Sequence, residues 1–397
     1  MPVTPVSHLA SLRPEALAAP ESGIVELFNY GRGRQGLLPL WVGEGDLPTP
    51  EFIRRAAADS FAAGETFYTH QRGLPETREA ISRYMTRHYG TNNGPDSYFV
   101  TVGGMHALQI AVRLVAGVGD DVLVVTPGWP NFAGSLAAAG ASAIDVPLDL
   151  RFKPAGGLQW ALDLDRMAAS ISQKTRAIVV NSPGNPTGWT ASLAELEGIL
   201  SLARAHGLWI IADEIYGRLT YDAPRAPSFH DLADASDRIL YIQTLSKNWA
   251  MTGWRIGWLE GPAGLGQVIE NLIQYSTSGV AVPIQRGAIA ALDQGETFVA
   301  HQLARFRQSR DILCSALEAS GRVRFAKPEG AFYLFAAIEG EADSSALAKR
   351  LVDEAGVGVA PGNAFGPGGE DHLRLCFACS PERTAEAADR LVRWLAR

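Results

Sequence analysis

Cysteine is scarce in this chain, with three in 397 residues. That excludes a disulfide-stapled scaffold and suits a reducing compartment, so a cytoplasmic location is expected. Two of the three, Cys376 and Cys379, form a lone C-x-x-C inside the apolar run Leu375-Cys-Phe-Ala-Cys379. With no second ligand pair and no helix opening there, they read as buried thiols rather than a zinc or redox centre. The eight histidines show no metal-ligand spacing, and no metal is expected. Charge is sparse as well: 19% of residues, a net −7, and no block of lysine or arginine. Nucleic acid and anionic membrane are therefore poor candidates for the main partner. No apolar run is long enough to span a bilayer, and the first twenty residues lack the basic start and apolar core of a signal peptide. Residues 1–22 read as an arm or a first helix.

What is present suits a large core: hydrophobic residues make up 47%, and the length allows two domains. Strand-like runs alternate with helical patterns from about residue 98 to 260, which predicts a mainly parallel sheet with helices on both faces. The runs Tyr98–Val102, Asp121–Thr126, Thr175–Asn181, Gly207–Asp213 and Ile239–Ile242 carry Gly104, Trp129, Asn185, Asp213 and Lys247 at or just past their carboxyl ends. Open α/β sheets bind ligands in the crevice at that edge. Thr49-Pro50-Glu51 predicts a helix start with Thr49 as the cap, and Pro75 another that stops near Gly90. Ser192-Leu-Ala-Glu195 is a capping box for a helix ending at Gly207. A long helical region at 284–320 precedes strand-like Gly330–Phe335 and His372–Phe377, which suggests a second, smaller α/β domain. Gly31-Arg-Gly-Arg-Gln-Gly36 matches the dinucleotide fingerprint in letters only, because a proline and a strand-like run follow where a helix should open.

The residue types at the strand ends point to chemistry on a phosphorylated carbonyl compound. Lys247 follows a buried strand, and lysine forms a Schiff base once its surroundings lower its pKa. Ser246 and Arg255 suit a phosphate, Arg255 through its planar fork. Gly103-Gly104 at a helix start offers free amides and the positive end of the helix dipole. Asp213 follows so apolar a run that its carboxylate needs a cationic partner. Plainer readings stay open for each: a surface lysine, a structural ion pair or cap for Asp213, a tight turn at Gly43, a buried aromatic at Tyr68, and a surface charge at Arg374.

The segment Gln243-Thr-Leu-Ser-Lys-Asn-Trp-Ala-Met-Thr-Gly-Trp-Arg-Ile-Gly257 resembles the pyridoxal-phosphate attachment segment of class I/II (fold-type I) aminotransferases, Ser-x-Ser-Lys-x-x-Ala-Met-x-Gly-x-Arg-x-Gly, with Thr244 departing from it. Asn185-Pro-Thr-Gly188 and Asp213-Glu-Ile-Tyr216 match further marks of that family, and the resemblance runs from about Leu40 to the C-terminus. Gly45, Thr77 and His106 replace the family's usual proline, leucine and glutamine. The resemblance implies pyridoxal 5'-phosphate as cofactor and an α/β fold of three parts: an arm with part of the small domain (1–45), a large cofactor domain (46–283) and a small domain (284–397). It also implies catalytic roles for Lys247, Asp213 and Tyr216, and cofactor contacts from Gly103, Gly104, Met105, Trp129, Asn185, Ser246 and Arg255. Tyr68 would reach the phosphate of a second subunit in a homodimer, and Gly43, Trp129, Asn185 and Arg374 would meet the substrate. The implied reaction is amino transfer between an amino acid and a 2-oxo acid. β-Elimination on the same fold is the alternative, and a non-enzymatic regulator a more distant one.

Overall fold

The computed structural model describes residues 8–17, 19–154 and 156–397. Of the stretch 1–22, residues 1–7 and 18 lie outside the described residues. The remainder holds two short turns, His8–Ser11 and Pro14–Leu17. A helix, Gly23–Gly31, starts directly after it, capped by the Ser22 side chain.

Seven strands form the central sheet: β1 (Tyr98–Thr101), β2 (Asp121–Thr126), β3 (Ser142–Pro147), β4 (Thr175–Asn181), β5 (Trp209–Asp213), β6 (Ile239–Thr244) and β7 (Gly257–Glu260). Their spatial order is β1-β7-β6-β5-β4-β2-β3. All the pairings are parallel except those of β7, which runs antiparallel to both neighbours. Helices cover both faces, so β6 is buried along its whole length, and its Ile239–Ile242 read as a continuous apolar run rather than an alternating one. Register sets Asn181 beside Asp213 at the carboxyl ends of β4 and β5. The next strand, β6, ends two residues before Ser246.

The expected helices form at Pro75–Tyr89, Gly103–Val115 and Leu193–His206, the last with its full capping box and a left-handed Gly207. One expectation fails. The helix Glu51–Ala62 has no side-chain cap. The Thr49 hydroxyl instead donates to the Ala250 carbonyl at 2.6 Å and accepts from Trp254 Nε1 at 2.9 Å. A tertiary partner near the lysine segment outcompetes the local cap. The region 284–320 is two helices, Val282–Gln294 and Glu296–Ala319, broken at Gly295. The G-x-G-x-x-G letters begin at the last residue of a helix, the reverse of a nucleotide loop.

A four-stranded antiparallel sheet lies toward the C-terminus, ordered Val323–Phe325, Tyr333–Ile338, His372–Cys376, Ala360–Pro361. The N-terminal segment joins this part of the chain: Leu38–Pro39 pairs with Val357–Gly358, and Tyr30 donates to Asp353 at 2.8 Å. We propose on that ground the division expected from the sequence, residues 1–45 and 284–397 standing apart from 46–283. All three cysteines are buried and free. Among the described residues, no helix is long and apolar enough to cross a membrane, and no group of side chains could hold a metal ion.

Candidate active site

Between the strand ends and the C-terminal sheet lies a cavity of about 370 Å³. Its wall includes Gly43, Gly104, Met105, Trp129, Asn185, Asp213, Tyr216, Ser246, Lys247, Arg255 and Arg374. Eleven of the thirteen residues singled out in the sequence thus meet at one place. Gly103 lies just behind the wall, and Tyr68 lies elsewhere on the surface, 96% exposed.

Lys247 Nζ donates to the Gly43 carbonyl at 2.7 Å. Burial, and to a lesser degree the charges of Arg374 and Arg255, bring its pKa down to about 8. Asp213 is 2% exposed, and burial pushes its pKa up to about 7. The Ile215 N–H donates to it at 3.3 Å and the Lys247 charge opposes the shift without reversing it, but among the described residues no cation lies within ion-pair distance. The structural salt bridge considered for it is therefore absent among these residues. A buried carboxylate in that condition calls for a cation in the cavity.

The helix Gly103–Val115 starts beside Arg255, and its Gly104 and Met105 line the cavity with Ser246 and Arg255. Gly103 has φ +73°, and a Cβ there would lie 2.7 Å from Arg255 Nη2, so the arginine packs over a position only glycine leaves open. Arg255 itself holds a left-handed conformation, its Nη1 donating to the Thr252 carbonyl at 2.7 Å. Thr244, the departure from the family pattern, accepts from the Ser246 N–H at 3.2 Å and lies 2.9 Å from its hydroxyl, which fixes Ser246 in place. His106 is drawn away from the cavity. Its Nδ1 accepts from Val102 N–H, its Nε2 meets the Ser276 hydroxyl at 2.8 Å, and burial lowers its pKa to about 4.

Arg374 is 2% exposed, which rules out a surface charge. Its Nη1 donates to Asn185 Oδ1 at 3.1 Å, its Nη2 donates to the Trp41 carbonyl, and its buried Nε has no partner among the described residues. The guanidinium lies 4.7 Å from the centre of the Tyr333 ring. The arginine takes Asn185 Oδ1, which orients the amide with its oxygen toward Arg374.

Sequence reasoning missed several wall residues. Asn181 accepts from the Asn185 N–H at 2.8 Å and donates to the Asp213 carbonyl at 3.1 Å, tying two site residues together. Tyr333 shares a 2.8 Å hydrogen bond with the Tyr216 hydroxyl. At Gly43, a Cβ would collide with that same Tyr333 hydroxyl, so the glycine admits the tyrosine. Ile24, Val25 and Phe28 come from the N-terminal helix. The signal for that helix was available: a capping serine at 22, then Ile24, Leu27, Phe28 and Gly31 at helical spacing.

The family model for aminotransferase class I and II matches residues 36–391. The chain is a class I/II aminotransferase. Curated relatives of this aminotransferase include the aspartate aminotransferase of Thermotoga maritima, 33% identical over 91% of this chain and 92% of the relative. The arginine–pyruvate transaminase of Pseudomonas aeruginosa is 34% identical over 89% of both chains. Among solved structures, the Thermus thermophilus aspartate aminotransferase with maleate superposes with a TM-score of 0.87 at 32% identity, covering 96% of this chain and 99% of that one. The aminotransferase therefore has the fold-type I architecture, moves an amino group between an amino acid and a 2-oxo acid, and uses pyridoxal phosphate. Its cavity fits that cofactor: a lysine of lowered pKa, a buried acid without a cation, and a helix start with an arginine for the phosphate.

Proposed function

We propose that Lys247 carries pyridoxal phosphate covalently and, once a substrate amine has displaced it, serves as the proton carrier of the reaction. A nitrogen with a pKa near 8 is suited to take a proton from the substrate Cα and give it back near neutral pH. The bound cofactor supplies the electron sink. Asp213 would keep a proton on the cofactor's ring nitrogen as its ion-pair partner, and Tyr216 and Asn185 would donate to its ring oxygen. Trp129 would meet the ring. Gly103, Gly104, Met105, Ser246 and Arg255 would hold the phosphate. Arg374 clamps the substrate carboxylate beside Gly43, with Asn185 and Trp129 on the substrate's other sides.

The observation that carries this reading is the pairing of Asp213, buried without a cation, with Lys247 across one cavity. The test is single-turnover spectroscopy. An amino acid alone should convert the cofactor absorbance once and stop, and a 2-oxo acid should restore it. Continuous ammonia release without a 2-oxo acid would sink the transfer assignment in favour of elimination.

We also propose that the aminotransferase is a cytoplasmic homodimer in which Tyr68 completes the phosphate site of the second copy. Phe67 and Tyr68 are 85% and 96% exposed, an unusual placement for adjacent aromatics that supports contact with a second copy rather than a place in this chain's core. Fully active monomers at high dilution would contradict this arrangement.

A further inference from the structure

Charged and apolar residues are unevenly divided around the cavity. Among the described residues its cations are Lys247, Arg255 and Arg374, and its one anion is Asp213. The roles proposed above occupy all four. The wall that remains for the rest of a substrate includes Ile24, Val25, Phe28, Trp41 and Val42. Val25, Phe28 and Val42 are 55%, 40% and 40% exposed. Single exposed apolar residues are ordinary on a protein surface, but these three converge on one cavity.

We infer that the amino donor carries an apolar, uncharged side chain seated against Val25, Phe28 and Val42, and that dicarboxylic amino acids are disfavoured. The inference rests on Arg374 holding the α-carboxylate. A second, distal carboxylate would then lose part of its water against an apolar wall, and among the described residues lining the cavity no cation is free to pair with it. Nor does the stretch proposed to reach a second copy supply one. Phe67–Gly73 holds one arginine, Arg72, whose Nε is 2.7 Å from Glu270. A second cavity lies behind Phe28, Trp41 and Val42, and there Arg32, Arg34 and Arg383 are accompanied by Glu44 and Asp46. Those three apolar side chains line both cavities and so stand between a substrate and the arginines.

Calorimetric titration of the cofactor-loaded enzyme with inert carboxylates tests this without turnover. 3-Phenylpropanoate and 4-methylpentanoate should bind about 10- to 200-fold more tightly than succinate and glutarate. Phe28→Ala should weaken 3-phenylpropanoate by about tenfold and acetate by less than about twofold. The half-reaction should follow the same order, with leucine and phenylalanine converting the cofactor absorbance more efficiently than aspartate and glutamate. Equal or tighter binding of succinate would overturn the inference, and loss of that binding in Arg32→Ala would trace the failure to the second cavity. If none of the four carboxylates binds while the cofactor stays in place, the fault lies instead with the assignment of Arg374.

Discussion

At the floor of the cavity, Asn181, Asp213, Ser246 and Lys247 stand at or just past the ends of adjacent parallel strands, held by sheet register and short hydrogen bonds. At its outer wall, Val25 and Phe28 sit on a surface helix that is tied to the C-terminal part of the chain by Tyr30–Asp353 and Glu26–Lys349. The floor holds polar groups in a buried setting that shifts their protonation, whereas the wall holds apolar groups partly in water. Each is incomplete alone. Among the described residues, Asp213 joins no ion pair, Arg374 Nε has no acceptor, and Val25 and Phe28 are partly exposed. On the roles proposed above, the difference separates two tasks: the chemistry of amino transfer falls to the sheet edge, and the choice of side chain to a helix at the rim.

If the floor carries the chemistry, the largest effect belongs to Lys247→Ala. Absorbance of lysine-bound cofactor should vanish and turnover should be abolished, whichever amino acid is offered. An unchanged spectrum with full turnover would erase the distinction between floor and wall.

Arg374→Lys comes next. Lysine keeps the charge but loses the planar fork, and with it the two-point hold on a carboxylate. A charged contact of roughly 1.5–3 kcal/mol corresponds to about a 10- to 150-fold fall in kcat/KM. Cofactor absorbance should survive, and amines without a carboxylate should be affected little. An equal loss on both substrate types would make Arg374 structural.

Asp213→Asn adds a test read in the stability of the cofactor-free protein rather than in turnover. In the cofactor-free protein burial raises Asp213 from 3.8 to about 7, so the ionised form is the one the fold disfavours. A raised acid contributes fully below its unfolded value and loses that contribution as pH rises through about 7. The neutral asparagine should therefore be the more stable variant at pH 8 by up to a few kcal/mol, with the gain shrinking toward pH 4. Denaturation midpoints across that range check the sign. A gain independent of pH would mean that the carboxylate is not the cause.

The floor was legible in the sequence because each residue sits in a local motif tied to a strand end. Asn185-Pro-Thr-Gly, Asp213-Glu-Ile-Tyr and Ser246-Lys247 needed no knowledge of distant contacts. The wall was not legible. Tyr333 reaches Tyr216 from 117 positions away, and Phe28 reaches the cavity only through packing against the C-terminal elements. Thr49 shows the same limit, since its local pattern is a cap while its partner, Ala250, lies 201 positions along the chain. Tyr68 was legible as a candidate contact with a second subunit, but its exposure becomes apparent only once the chain is packed.

Lysine is rare here, with five in the chain: Lys153, Lys174, Lys247, Lys327 and Lys349. Only Lys247 lines the cavity, while Lys153, Lys327 and Lys349 pair with surface carboxylates. The central claim, that Lys247 is the cofactor-bearing residue, is therefore open to direct mapping. Cofactor-loaded enzyme is reduced with borohydride, digested, and its peptides are weighed. The account predicts the pyridoxyl phosphate mass on the peptide containing Lys247 and on no other. The same mass on any of the other four lysines, or retained cofactor with no labelled peptide, would contradict it.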